Sequence, residues 1–150
     1  MQPGSPDNPS NAPHRAVLLL GPTGAGKSPL GDVIEQRGLG EMPCLHFDFG
    51  ENLRAAAAGK HESSRFTGEE IAFLRSVLDS GALLEDEHFP LAERILRGFL
   101  RDRGAGASTC VVLNGLPRHV GQAQGLADRV ELVAVVRLVF PPAVTHERIR

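Results

Sequence analysis

The segment Gly21-Pro-Thr-Gly-Ala-Gly-Lys-Ser28 constrains this chain more than any other. It fits G-x-x-x-x-G-K-[ST], a pattern in which glycines let the backbone curl until successive N–H groups point inward at phosphate oxygens. A helix starting at the end of such a loop adds the positive end of its dipole. Lys27 supplies a compact charge for the outer phosphates, and Ser28 a hydroxyl for Mg²⁺ or its waters. Gly21, Gly24, Ala25, Gly26, Lys27 and Ser28 are therefore the predicted phosphate cradle.

The flanks agree with that reading. Residues 16–20 form an apolar run that suits a buried strand, and residues 28–37 carry Leu30, Val33 and Ile34 at helical spacing before Gly38. Pro29 falls in the first turn of this helix, where its missing N–H would be unpaired anyway. The sixteen basic residues are fourteen arginines and two lysines, Lys27 and Lys60, so a lysine at the loop's end is hardly incidental.

Beyond the loop the chain alternates. Strands are expected over 44–49, 109–113 and within 130–140, and helices over 51–58, 86–103, 119–128 and from 141 onward. Thr67-Gly-Glu-Glu70 reads as a capping box before Ile71, Leu74 and Leu78, with Gly81 as the stop. Residues 86–103 carry an apolar face of Phe89, Ala92, Ile95, Leu96 and Phe99. Strands almost wholly apolar and separated by helices imply an α/β fold with a parallel sheet covered on both faces. Residues 1–14, rich in Pro, Ser, Asn and Gly, read as a disordered tail before a core spanning 15–150.

Composition narrows the function classes. A 150-residue chain with 41% apolar and 23% charged residues is long enough for one globular core. A net charge of −2 gives no basic field for nucleic acid. The longest apolar run, residues 132–136, is too short to span a bilayer, and no signal-peptide pattern opens the chain, so a cytoplasmic location is expected. Cys44 and Cys110 both fall in expected strands and read as reduced core thiols, and the six histidines make no H-x-x-x-H pattern.

Four further segments carry a resemblance. HFDFGENLRAAAAG, residues 46–59, resembles the monophosphate-binding segment of adenylate kinases, H-I-S-T-G-D-x-L-R-A. LDSGALLEDE, residues 78–87, resembles their D-A-G-x-L-V-x-D-E. VVLNGLPRHVGQAQGL, residues 111–126, resembles L-D-G-F-P-R-T-x-x-Q-A, and FPPAVTHERI, residues 140–149, the V-P-D-x-x-x-x-x-R-I before their lid. In the family's order, and with the loop, these segments run from residue 16 to 150.

The resemblance implies an adenylate kinase-like nucleoside monophosphate kinase that moves the terminal phosphoryl of ATP, with Mg²⁺, to a nucleoside monophosphate. It implies a P-loop three-layer sandwich with four parallel strands and a small helical monophosphate-binding insert at about 48–82. The lid and the last edge strand are expected to be missing, which would slow transfer by removing charge and admitting water. Lys27 would steer the donor's phosphates, Arg54 and Arg118 would hold the acceptor's phosphate, and Arg148 would contact the donor. Gln122 would read the acceptor base, and Gly115 and Pro117 would shape the turn carrying Arg118. Lys27, Arg118 and Arg148 are the implied catalytic residues, and Ser28 and Asn114 the implied metal site. Such chemistry is mostly positioning and electrostatic stabilisation of spread negative charge, for which arginine's planar fork is well suited.

Two departures from the pattern bear on the chemistry. Asn114 stands where the family has Asp, so its amide offers oxygen without charge. Phe49 stands where the family has Thr and can either stack on a base or fill the space, so selectivity for adenine is not implied. Two other readings stay open: an ATP-binding module of the same fold without useful catalysis, and a kinase acting on another small acceptor. A monomer is expected.

Overall fold

In the computed structural model, which describes residues 12–22, 24–60, 66–80, 88–118 and 120–139, the chain begins with a strand, β1 (His14–Leu20). It continues through α1 (Lys27–Arg37), β2 (Cys44–Asp48), α2 (Phe49–Ala57), α3 (Gly68–Ser80), α4 (Phe89–Asp102), β3 (Cys110–Asn114), α5 (Val120–Gly125) and β4 (Val130–Arg137). The four strands form one sheet in the order β2-β3-β1-β4, and every pairing is parallel. The α/β sandwich expected from the sequence is thus observed. Residues 1–11 of the expected tail, the Gly81 stop, the helix from residue 141 and Arg148 lie outside the described residues, whereas His14, expected in the tail, opens β1 with its N–H donating to Arg129 O at 2.9 Å.

Strand alternation divides the core into two layers. Ala16, Leu18, Phe47, Val111 and Leu113 point to one face, where α2, α3 and α4 bury Leu53, Leu74, Ile95, Leu96 and Phe99. Val17, Leu19, Cys44, Cys110 and Val112 point to the other face, where α1 lays down Leu30 and Ile34. Helix α4 buries Ala92, Ile95, Leu96, Phe99 and Leu100, a 3.6-residue stripe. Each large apolar side chain so buried contributes about 1.5–3 kcal/mol relative to exposure.

The helix ends follow their sequence signals. Gly38 closes α1 with φ 74°, its N–H donating to Ile34 O at 2.7 Å. The capping box forms reciprocally: Glu70 N donates to Thr67 Oγ1 at 3.1 Å and Thr67 N to Glu70 Oε1 at 2.8 Å. That backbone bond, with Arg94 beside it, holds the Glu70 carboxyl below its ordinary range. Of the boundaries that moved, two have a local cause. Strand β2 stops at Asp48 because that side chain caps α2, accepting from Glu51 N at 3.2 Å. Helix α5 ends at Gly125, three residues short of expectation, in a segment weakened by Gly121 and Gly125.

The sheet departs from expectation at β4, where every residue from Glu131 onward is exposed. Val135 and Val136, register partners of Leu18 and Leu19 on opposite faces, are 55% and 36% exposed, so neither face of this strand is covered by the described residues. A sheet buried on both faces is therefore true of β1 and β3 but not of β4. The apolar run at 132–136 signalled a buried strand; what covers a strand depends on elements distant in sequence.

Cys44 and Cys110 face each other across β2 and β3 and are both buried. Burial pushes the Cys44 thiol above its ordinary value of 9.0, and burial, with neighbouring Cys44, pushes Cys110 up to about 11. Raised folded-state values favour the neutral thiol. The associated stability is present below pH 9.0 and is lost as pH rises toward about 11. At pH 8 the folded chain is expected to react slowly with iodoacetamide and the urea-unfolded chain rapidly. Urea melts should show lower stability at pH 10 than at pH 8. Equal labelling rates in the two states would contradict this account.

Candidate phosphate-binding site

Residues 21–26 connect the carboxyl end of β1 to α1, at the sheet edge where parallel α/β folds bind ligands. Gly24 and Gly26 take φ of 84° and 97°, conformations that side-chain-bearing residues rarely adopt. Gly21 has a second constraint: a Cβ there would lie 3.2 Å from both Ala25 Cβ and Leu138 O. Ala25 is buried, and its N–H donates to Pro22 O at 3.0 Å, which closes the curl. Helix α1 starts at Lys27, so Pro29 sits in its first turn, as expected. The Lys27 ammonium bends back over the loop and donates to Gly21 O at 2.8 Å.

Beside the loop, two neighbouring strands end together. Asp48 and Asn114 are the last residues of β2 and β3, register partners on the side of the sheet that faces α1. Ser28 Oγ lies between them, donating to Asp48 Oδ2 at 3.0 Å and accepting from Asn114 Nδ2 at 3.1 Å. The same Nδ2 lies 3.3 Å from His46 Nε2, whose Nδ1 lies 3.0 Å from Asp32 Oδ1. One proton assignment satisfies every link. His46 donates from Nδ1 to Asp32 and accepts at Nε2, and Asn114 uses both amide hydrogens, one on His46 and one on Ser28. The amide nitrogen of Asn114, rather than its oxygen, thus faces Ser28.

Glycine at position 31 makes room for this network. A Cβ on Gly31 would lie 2.4 Å from His46 Cδ2 and Nε2, so the ring fits flat beneath α1 only because that side chain is absent. Glu35, one turn further along α1, accepts from His46 N at 2.9 Å and from Arg103 Nη2 at 2.9 Å. It thereby satisfies a backbone donor on β2, an outer strand of the described sheet.

The remaining expected site residues leave from the same strand ends. Arg54 is exposed on α2, directly after β2, and its Nη1 reaches back to within 3.5 Å of where a Cβ on Gly50 would lie. Arg118 is exposed after β3, beyond Gly115 (φ 93°) and the cis Leu116–Pro117 peptide. Gln122 is buried, and its Oε1 accepts from Arg118 N at 2.7 Å, which ties the arginine's backbone to α5. Phe49 is 5% exposed, its ring 6.2 Å from that of Phe47 and its Cβ 3.4 Å from a hypothetical Cβ on Gly115. It occupies the core beneath the turn.

No protein-family model matches this sequence. Curated relatives do. A protein of Jannaschia named adenylate kinase is 32% identical over 114 residues, 75% of this chain and 49% of its own length. Another so named, from Methylobacterium radiotolerans, is 33% identical over 131 residues, 81% of this chain and 56% of itself. One from Emericella nidulans is 29% identical over 126 residues, 83% and 42% respectively. The chain is adenylate kinase-like. It spans about half the length of the curated relatives it matches.

Within this adenylate kinase-like chain, the loop and Asn114 come together as the motifs implied. Sequence reasoning missed the importance of Asp48, His46, Asp32 and Gly31. Asp48 had a signal, since it stands where the resembled motif H-I-S-T-G-D has Ser. Gly31 had a weaker one, a glycine inside a helix where alanine is favoured. Nothing local marks Asp32 as the partner of a histidine fourteen residues away.

Proposed function

We propose that this chain is the phosphate-transferring core of a nucleoside monophosphate kinase, with ATP as donor and a nucleoside monophosphate as acceptor. The observation that carries the reading is the loop at 21–28, with Lys27 and Ser28 beside the paired ends of β2 and β3. In this reading the backbone N–H groups of the loop and the start of α1 hold the donor's phosphates, and Lys27 releases the Gly21 carbonyl to reach them. Arg54 and Arg118, on the segments leaving β2 and β3, hold the acceptor's phosphate. Arg148 would join them at the donor.

The exposed Ser28 hydroxyl offers a hard cation an oxygen, and Asn114 positions that hydroxyl through its amide nitrogen. Among the described residues no three His, Cys, Asp or Glu side chains cluster as a metal site, so the ion would arrive with the nucleotide's phosphates. Bound Mg²⁺ would supply charge neutralisation between the phosphates. Gln122 orients the Arg118 backbone and Phe49 shapes the acceptor side of the site from beneath. None of the described helices is long and apolar enough to cross a membrane, and a cytoplasmic monomer is the setting we propose.

A coupled assay for diphosphate formation with ATP, Mg²⁺ and each common nucleoside monophosphate tests the reading. Turnover with at least one acceptor is expected. Folded chain that gains thermal stability from ATP yet turns over none would be a binding module without transfer, the second reading, which Asn114 favours. No stabilisation by ATP at all would remove both.

A further inference from the structure

The reading above leaves the charge at the cation site unassigned, because the strand end expected to supply a carboxylate carries Asn114. We propose that Asp48 supplies it instead: the acidic group that organises the nucleotide-bound divalent cation has moved one strand over, from the end of β3 to the end of β2. The inference rests on the proposed function and assigns a residue and a role that the motifs did not.

Three observations support it. The first is register. Asp48 and Asn114 are paired across β2 and β3, so exchanging the two residue types would move a carboxylate by one strand spacing on the same side of the sheet. The second is contact. Asp48 Oδ2 accepts the Ser28 hydroxyl at 3.0 Å, so the only acidic strand end of the pair already touches the loop's cation-binding oxygen. With its proton on Asp48 and one lone pair taking the Asn114 N–H, Ser28 Oγ keeps a lone pair on its exposed side.

The third is commitment of the alternative. Both Asn114 amide hydrogens are used, on Ser28 and on His46, and the His46 ring is fixed by Asp32. An amide suits that position because it donates twice. Asp48 has a structural duty as well, since its Oδ1 caps α2 through Glu51 N. Serine and asparagine perform that duty about equally. Substitution can therefore remove the charge and keep the cap.

The charge predicts a signature that capping does not. Without a divalent cation, Asp48 repels the donor's phosphates; with one, it helps hold the ion. ATP affinity of the 150-residue chain would be measured by calorimetry in EDTA and in saturating Mg²⁺, for the wild type, D48N and D48S/N114D. The ratio of the two affinities is the readout. In D48N the strengthening by Mg²⁺ is expected to fall about tenfold, in line with one charge-assisted contact, while metal-free ATP binds as well as before or better. D48S/N114D, which returns the carboxylate to β3, is expected to regain most of the ratio, and it also reports should D48N fold poorly. A wild-type ratio in D48N, or equal weakening of metal-free and Mg²⁺-bound ATP, would overturn the assignment and leave the proposed function standing. No ATP binding by the folded wild type in either buffer would overturn both.

Discussion

Replacing Lys27 by methionine is expected to weaken ATP binding by roughly 10- to 100-fold, the range for losing hydrogen bonds to a charged group. Its effect on phosphoryl transfer should be larger, on the order of 10²- to 10³-fold, because charge develops on the transferring group while the site stays fixed. Methionine keeps the length of the stem and removes only the ammonium. In the described structure that ammonium makes one bond, to Gly21 O, so the melting temperature without nucleotide should hardly move. Calorimetry with ATP and the coupled assay check the two parts. An ATP affinity equal to wild type would mean that the phosphates do not reach Lys27, and the function proposed for the loop would fail with it.

Gly31→Ala is expected to destabilise the chain by about 1–3 kcal/mol, the usual cost of overpacking. The sign runs against helix propensity, which favours alanine inside a helix by about 1 kcal/mol. The reason lies across the layer. The new methyl would sit 2.4 Å from the His46 ring, and that ring is held by Asp32 on one side and Asn114 on the other. Pushing it aside breaks bonds that lead to Ser28, so the Mg²⁺ dependence of ATP binding should weaken too. Urea melts of G31A, H46A and the double variant form the test. With His46 truncated, the alanine should become neutral or stabilising. If G31A costs the same with and without the ring, the close packing is not the cause.

Several features are legible in the sequence alone. The loop, its flanking strand and helix, and Pro29 in the first turn follow from local chemistry alone. So do the Thr67–Glu70 box and the stripe from Ala92 to Leu100, because caps and helical faces are set by residues within four positions of each other. The Arg54 and Arg118 segments were legible through resemblance, and they leave adjacent strand ends. Phe49 was left between stacking on a ligand and filling space, and its packing against Phe47 puts it in the core.

By itself, then, the sequence determined a parallel α/β chain with a glycine-rich G-x-x-x-x-G-K-S loop after its first strand. The short continuous apolar runs, the helical stripes and the glycine pattern each act over a few residues. Tertiary structure alone decided strand order and register, and through them which side chains meet. Ser28, His46, Asp48 and Asn114 lie as far as 86 residues apart in the chain, yet they form one hydrogen-bonded row because β3 inserts between β1 and β2. It also decided that β4, as apolar as its neighbours in sequence, lies exposed among the described residues. Burial and hydrogen-bond partnership are properties of what packs alongside, and in a parallel sheet the neighbour always comes from a distant part of the chain.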